Sequence, residues 1–347
     1  LDKGAIEAVW KGMLPRAETP EDKARLATLM TQLLNWANIY FLEREEREGL
    51  IPILEKAKSL GKAIVMDIDD HVVSFPDIPE KQVSAFWKKR VPYFLEILSK
   101  IDLLITTTDR LAKSYEQYLG NGAETVCIRN YMDTQHSRWQ VETEPNEQVV
   151  IGWMGGPTHI DDLELLREPI HVILGRYPET VFKCVGLVPE WIDELPANQV
   201  IRNEGYSGLA EYPKRFADFD IGLIPLTDNA FNRLGKSDLK YLEYSMFKVA
   251  SIASKVPAYQ GAVGRKRGIL TRNTPEDWTR AIETLVTREP LRKSMGEEAQ
   301  TYVLKHRAIS DHAHRWAGAF EQALKIRKRR LRDRILVPSM AVQGVLT

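Results

Sequence analysis

The sequence predicts an α/β protein built from two doubly wound parallel-sheet domains facing across a cleft. Three observations predict it. Apolar runs of strand length alternate with helical patterns of roughly 10–15 residues, which is how βαβ units read. The alternation stops at a polar stretch, residues 134–148, and then restarts with the same design. The chain has 347 residues, enough for about two domains.

In the first half, residues 38–42, 63–68, 103–107 and 125–129 are short, apolar and rich in β-branched or aromatic residues, and so predict strands. Helical patterns fall between them at 47–60, 83–99 and 110–119, and two more precede them at 2–13 and 20–36. Beyond the linker, strands are predicted at 149–154, 181–185, 199–203, 221–225, 249–253 and 268–271. Helices are predicted at 161–176, 209–218, 237–247, 275–287 and 290–306. A last segment, 311–334, reads as one long helix with a basic end. The expected division is therefore 1–133, a linker 134–148, a second domain 149–308, and a helix and tail 309–347 that cross back to the first domain.

Composition narrows the class. Hydrophobic residues make up 44% and charged residues 28%, values of a soluble globular protein. No apolar run approaches the ~20 residues of a membrane span. The net charge is zero, so nothing draws the whole chain toward nucleic acid. Cys127 and Cys184 sit in apolar runs, TVCI and VFKCV, and read as reduced core residues. No secretory leader pattern opens the chain, and a cytoplasmic protein is expected. No G-x-S-x-G elbow, Walker A loop or H-E-x-x-H helix occurs.

The most informative stretch is 220–254, DIGLIPLTDNAFNRLGKSDLKYLEYSMFKVASIAS. A strand leads into a loop carrying Asn232, Arg233 and Lys236, then into a helix starting at Lys236 or Ser237 and bearing Glu243. Unpaired N–H groups and the helix dipole favour a phosphate at such a helix start. Arg233 and Lys236 would add full positive charge, and Glu243 could bond a sugar hydroxyl. The bland alternative is an ordinary surface loop and helix.

Two other strand ends stand out. Gly155, Gly156, Pro157, Thr158 and His159 follow the strand at 149–154, where glycines let a backbone approach a ligand closely. His159 is either a capping residue or part of a site. Asp67, Asp69, Asp70 and His71 follow the strand at 63–68. Crowded carboxylates call for a metal, a basic side chain or an acceptor's hydroxyls, unless one caps a helix and the others are solvated. The basic run Lys325, Arg327, Lys328, Arg329, Arg330, Arg332, Arg334 is either a solvated helix face or a contact for the phosphates of a nucleic acid or an anionic membrane.

The segments IGWMGGPTHIDDL, from Ile151, and FNRLGKSDLKYLEY, from Phe231, resemble the retaining GT-B glycosyltransferases of family 4. VMDIDD at Val65 resembles the DLDDD-type motif of one branch. LLITTTDRLAKSY at Leu103 and IRNYMD at Ile128 resemble further elements of that family, so the similarity spans roughly residues 38–307 in order. The resemblance implies two Rossmann-like domains, the GT-B fold, with the nucleotide-sugar donor mainly on the second domain and the acceptor on the first. It implies a hexosyltransferase using a UDP-sugar, with no obligatory cofactor and no metal. The implied donor-binding residues are Gly155, Gly156, Thr158, His159, Tyr206, Asn232, Arg233, Lys236, Ser237 and Glu243. Lys236 and Arg233 would neutralise the diphosphate during reaction. Asp67, Asp69 and Asp70 would meet the acceptor, and Asp67, Asp69 and His71 would orient it.

The sequence departs from the family pattern in three places. Gly235 stands where the first glutamate of the family's E-x7-E motif belongs. The arginine and lysine of the second domain's opening loop are missing. The first domain lacks the usual opening strand and glycine loop. The acceptor class is open among a glycan, a lipid-linked sugar, a protein and a hydroxymethylated DNA base. The competing readings are a UDP-sugar 2-epimerase of the same fold and a non-catalytic nucleotide-sugar-binding protein. Asp67-Ile68-Asp69 also has the D-x-D form of metal-dependent transferases, but the two-domain pattern argues against that class.

Overall fold

The computed structural model describes residues 19–75, 83–205 and 207–336. The expected helix at 2–13 and Tyr206 lie outside them. The chain forms two compact units. The described part of the first comprises residues 19–69, 85–128 and 313–336; that of the second comprises residues 70–75, 83–84, 129–205 and 207–312.

The first unit holds a four-stranded parallel sheet: β1 (Ile39–Glu43), β2 (Ala63–Ile68), β3 (Leu103–Thr106) and β4 (Glu124–Cys127), in that order. Ala63, Ile64, Val65 and Met66 are fully buried, as expected of a central parallel strand covered on both faces. The helices Ile51–Ser59, Val83–Lys100 and Asp109–Tyr115 make the crossovers. Thr108 caps the last of these by accepting from Leu111 N at 3.1 Å. The helix Pro20–Trp36 opens on a capping box between Thr19 and Asp22.

The C-terminal helix His314–Leu336 packs on β1, β2 and β3. Its buried face presents Ala319, Ala323 and Ile326. Arg330 pairs with buried Asp102, and a second amino group of Arg330 donates to Lys62 O at 2.7 Å. Asp102 also accepts from Ile64 N at 2.8 Å, so the ion pair is tied into the sheet. Arg329 pairs with Glu124, which also accepts from Gln322 at 2.6 Å. Two arginines of the basic run are thus committed to the unit's own acids. Lys325, Lys328 and Arg332 remain exposed on the helix.

The second unit holds six parallel strands: β5 (Val149–Gly155), β6 (Thr180–Gly186), β7 (Val200–Glu204), β8 (Ile221–Ile224), β9 (Ala250–Ser254) and β10 (Ile269–Thr271). Their order across the sheet is β7-β6-β5-β8-β9-β10. The chain winds outward one way from β5 and then returns to wind the other way from β8. In an open α/β sheet, the crevice outside such a switch point is where ligands bind. Cys184 on β6 is fully buried, and burial pushes its thiol up to about 12, as befits an inert core residue.

Several predicted helices need correction, among them the one expected at 311–334, which is broken at Ala313 into Ile309–His312 and His314–Leu336. The one expected at 161–176 is two, Ile160–Glu164 and Arg167–Arg176. Pro169 cannot sit deep in a helix, so the second starts afresh with Pro169 in its first turn. Residues 209–218 form turns with one 3-10 segment, Pro213–Arg215, instead of a helix. Pro213 has no N–H to continue the ladder, and fully buried Phe216 is drawn into a cluster with Tyr212, Phe219, Tyr244 and Phe247. The polar stretch 134–148 carries the 3-10 turn Ser137–Trp139, whose Trp139 joins the second unit's core. Among the described residues, no helix is long and apolar enough to cross a membrane.

Candidate functional site

The switch point brings together the turn after β5 and the loop after β8. Gly155 ends β5, and Gly156 leads into the 3-10 turn Pro157–His159, which contains Thr158. Gly155 has a structural reason to be glycine: a Cβ there would lie 2.6 Å from the Trp153 ring.

The helix expected to start at 236 or 237 starts at Leu239, and the stretch after β8 that the sequence reads as a loop contains a short helix, Ala230–Gly235. Asn229 caps it, accepting from Asn232 N at 2.8 Å. The second helix, Leu239–Met246, has no side-chain cap at its start. Its N-cap residue, Asp238, turns instead to buried Arg307, which donates to both carboxylate oxygens at 2.6 and 2.9 Å. Arg307 also holds Asn130 O at 2.7 Å, and the Asn130 amide donates to Ser237 Oγ at 2.7 Å. This network fixes the entry to the helix and turns the Asp238 carboxylate away from its first N–H groups, an arrangement that suits an anion.

Two lysines stand at that entry. Lys236 is 18% exposed in its side chain, lies over the Phe231 ring at 4.4 Å and reaches Asp70 at 3.3 Å. Lys240 donates to Met154 O on β5. Burial lowers its pKa to about 8, with repulsion from Lys236 acting the same way against the pull of Glu243 and Asp162. Lys240 was missed in the sequence, although it stands four residues after Lys236 and three before Glu243, so that it shares a helix face with Glu243. Glu243 accepts from the Tyr212 hydroxyl at 3.1 Å, and burial raises its pKa. In the same helix Tyr244 Oη accepts from Met154 N at 3.1 Å, where β5 has run past its pairing with β8.

His159 closes the other side. Its Nδ1 is 2.7 Å from Asp162, a carboxylate 2% exposed. Burial lowers the His159 pKa, and the charges of Lys236 and Lys240 add to that against the pull of Asp162. Asn232, expected to touch the donor, is 3% exposed and spends its amide on Asp162 and Thr227. Arg233 stands apart from the lysines: it is 57% exposed and its ion pair, at 3.4 Å, is with exposed Asp228.

The Asp67–His71 motif runs from the first unit into the second. In the first unit, Asp67 is raised to about 6 by burial and by neighbouring Asp69, against a hydrogen bond from Trp316. In the second, residues 70–75 dock on the loop after β8. Phe75 meets Phe231 at 4.8 Å between ring centroids, Asp70 meets Lys236, and His71 is buried with Nδ1 2.6 Å from Ser74 Oγ. This docking accounts for Gly235. A Cβ there would come within 2.6 Å of His71 N, so a glutamate has no room.

No protein-family model matches the chain, and no curated protein matches it. Solved structures do. S. aureus TarM aligns with a TM-score of 0.63 at 15% identity, over 85% of this chain and 58% of TarM. Anabaena HepE, solved with UDP-glucose, gives 0.62 at 13% identity over 88% of this chain and 84% of HepE. Sucrose-phosphate synthase from Thermosynechococcus elongatus gives 0.61 at 13% identity, over 89% and 79%. The chain thus spans less than two thirds of TarM's length. At these identities the likeness is one of fold. The α/β class with two parallel-strand sheets and flanking helices is that of GT-B proteins.

Proposed function

We propose that the chain is a glycosyltransferase that moves a sugar from a nucleotide-sugar, preferably a UDP-sugar, to a hydroxyl acceptor with retention. The observation that carries the reading is the pairing of Lys236 and Lys240 with an uncapped helix start and a glycine turn, all at the switch point of the second sheet. The fold neighbours add support: HepE is seen with UDP and with UDP-glucose.

In this reading the diphosphate lies against the Gly155–Gly156 turn. Lys236 and Lys240 supply the charge that the missing opening-loop arginine and lysine would have given, and Arg233 has a lesser part. Glu243 accepts from the ribose hydroxyls. As the bond from the anomeric carbon to the phosphate oxygen breaks, negative charge grows on the leaving diphosphate and positive charge on the sugar ring. The two ammonium groups and the helix start stabilise that change selectively. The acceptor oxygen bonds the same face of the carbon, and its proton passes to the leaving phosphate, so no separate base is needed. Asp67, Asp69 and His71 would orient the acceptor.

A donor screen reading nucleotide release tests the proposal. Release that depends on an added acceptor supports transfer. Conversion of the donor to its 2-epimer without acceptor would establish the isomerase instead, and donor binding without turnover would leave a binding protein. Transfer that survives EDTA separates this chemistry from D-x-D metal dependence.

A further inference from the structure

An Asp–His couple lies behind the Gly155–Gly156 turn, and the two oxygens of Asp162 are used differently. Oδ1 accepts three hydrogen bonds: from Thr227 N at 2.6 Å, the Thr227 hydroxyl at 2.7 Å and the Asn232 amide at 2.8 Å. Oδ2 faces His159 Nδ1 at 2.7 Å. A carboxylate only accepts, so Nδ1 carries the ring hydrogen. Burial and the two nearby lysines oppose a second proton on the ring. Nε2 therefore presents a lone pair. The ring carbon bonded to it, Cδ2, lies 3.3 Å from where a Gly155 Cβ would be, which puts this edge of the ring toward the end of β5.

We propose that Asp162 is a positioning residue: it locks His159 in the Nδ1–H tautomer so that Nε2 accepts a hydrogen bond from a hydroxyl of the donor's sugar and not from its phosphates. The ligand half of this inference rests on the nucleotide-sugar reading above; the tautomer half does not. A lone pair facing a phosphate oxygen is repulsive, whereas one facing a hydroxyl is a good acceptor. The imidazole thus adds selectivity for the sugar beside the lysines that hold the diphosphate.

Asp162→Asn tests it sharply. The three donors on Oδ1 leave the new amide one orientation, with its NH2 toward His159. Nδ1 must then accept, and the ring hydrogen moves to Nε2. Long-range 1H–15N NMR of the imidazole should report Nδ1–H in the wild-type protein and Nε2–H in the variant. By calorimetry, the variant's affinity for UDP-glucose should fall about tenfold, while its affinity for UDP changes less than about twofold. His159→Phe leaves the Asp162–Thr227–Asn232 bonds in place and should show the same split, whether or not Asp162→Asn folds. A wild-type ring with its hydrogen on Nε2 overturns the lock. Equal losses for UDP and UDP-glucose in His159→Phe overturn the sugar contact. A wild-type protein that binds neither compound removes the nucleotide-sugar reading and the sugar contact together, and the NMR result then judges the tautomer alone.

Discussion

The carboxyl ends of β2 and β5 carry opposite chemistry, and the groups there shift toward neutrality. At β2, burial and a neighbouring carboxylate raise Asp67 to about 6. At β5, burial lowers Lys240 to about 8 against the pull of Glu243 and Asp162. Taking a charged group out of water is costly, and a buried one persists where something supplies the opposite sign. One strand end is thus suited to hydroxyls or a cation, the other to an anion. The net charge of zero conceals this separation. Elsewhere in the first unit acids and bases meet directly, as Asp102 does with Arg330, and there the charge serves packing.

The largest effects are expected at the β5 end. Lys236→Ala or Lys240→Ala should each lower transfer by about 10² or more while leaving the circular dichroism spectrum unchanged. Nucleotide-release rates check this. Activity kept in full by both variants would remove the anion site.

Next in size is the pH response of Lys240. The group keeps its charge below about 8 in the folded protein, against 10.5 ordinarily. An anionic ligand prefers the charged form, so UDP affinity should hold below pH 8 and weaken above it, approaching tenfold per pH unit. Lys240→Met should flatten that slope. The stability effect has the opposite sign: between about 8 and 10.5 the unfolded chain holds the proton longer, so stability rises with pH across that window.

Gly235→Ala sharpens the account of the docked segment 70–75. Forcing a Cβ to 2.6 Å from His71 N should cost about 1–3 kcal/mol, read as a lower midpoint in urea. At the β2 end, Asp67→Asn should raise the melting temperature at pH 7.5 and leave it unchanged at pH 3. The folded pKa is raised, so below the ordinary 3.8 both states are protonated and nothing is gained. The gain grows from there to about 6 and is complete above it. Arg233→Ala should have the smallest effect, less than about threefold on turnover, because the side chain is exposed and paired with exposed Asp228.

Much of this was legible in the sequence. The inner strands of the two sheets, β2, β3, β5, β6, β8 and β9, announce themselves as apolar runs because a central parallel strand is buried on both faces, whereas the edge strands β1, β4, β7 and β10 are partly exposed and carry a weaker signal. Their order is not legible, since periodicity says nothing about which strand lies beside which, and the β5–β8 switch point appears only in the fold. The glycine turn and the Lys236 loop were visible as motifs. The absence of glutamate at Gly235 was visible too, but its cause was not, because it lies in the packing of His71, far away in sequence. Lys240 and Asp162 were overlooked for the same reason. Each looks like an ordinary helix residue until Met154 O, Thr227 and His159 are brought against it.

In the proposed reading, Lys236 and Lys240 together grip a nucleotide's diphosphate at the start of the Leu239–Met246 helix. Calorimetric titration of UDP at pH 7 into the wild-type protein and into the Lys236→Ala/Lys240→Ala double variant tests it most directly. Measurable binding by the first and at least about a hundredfold weaker binding by the second, with the fold unchanged, are expected. Equal affinity in the two proteins, or no binding by either, would contradict it.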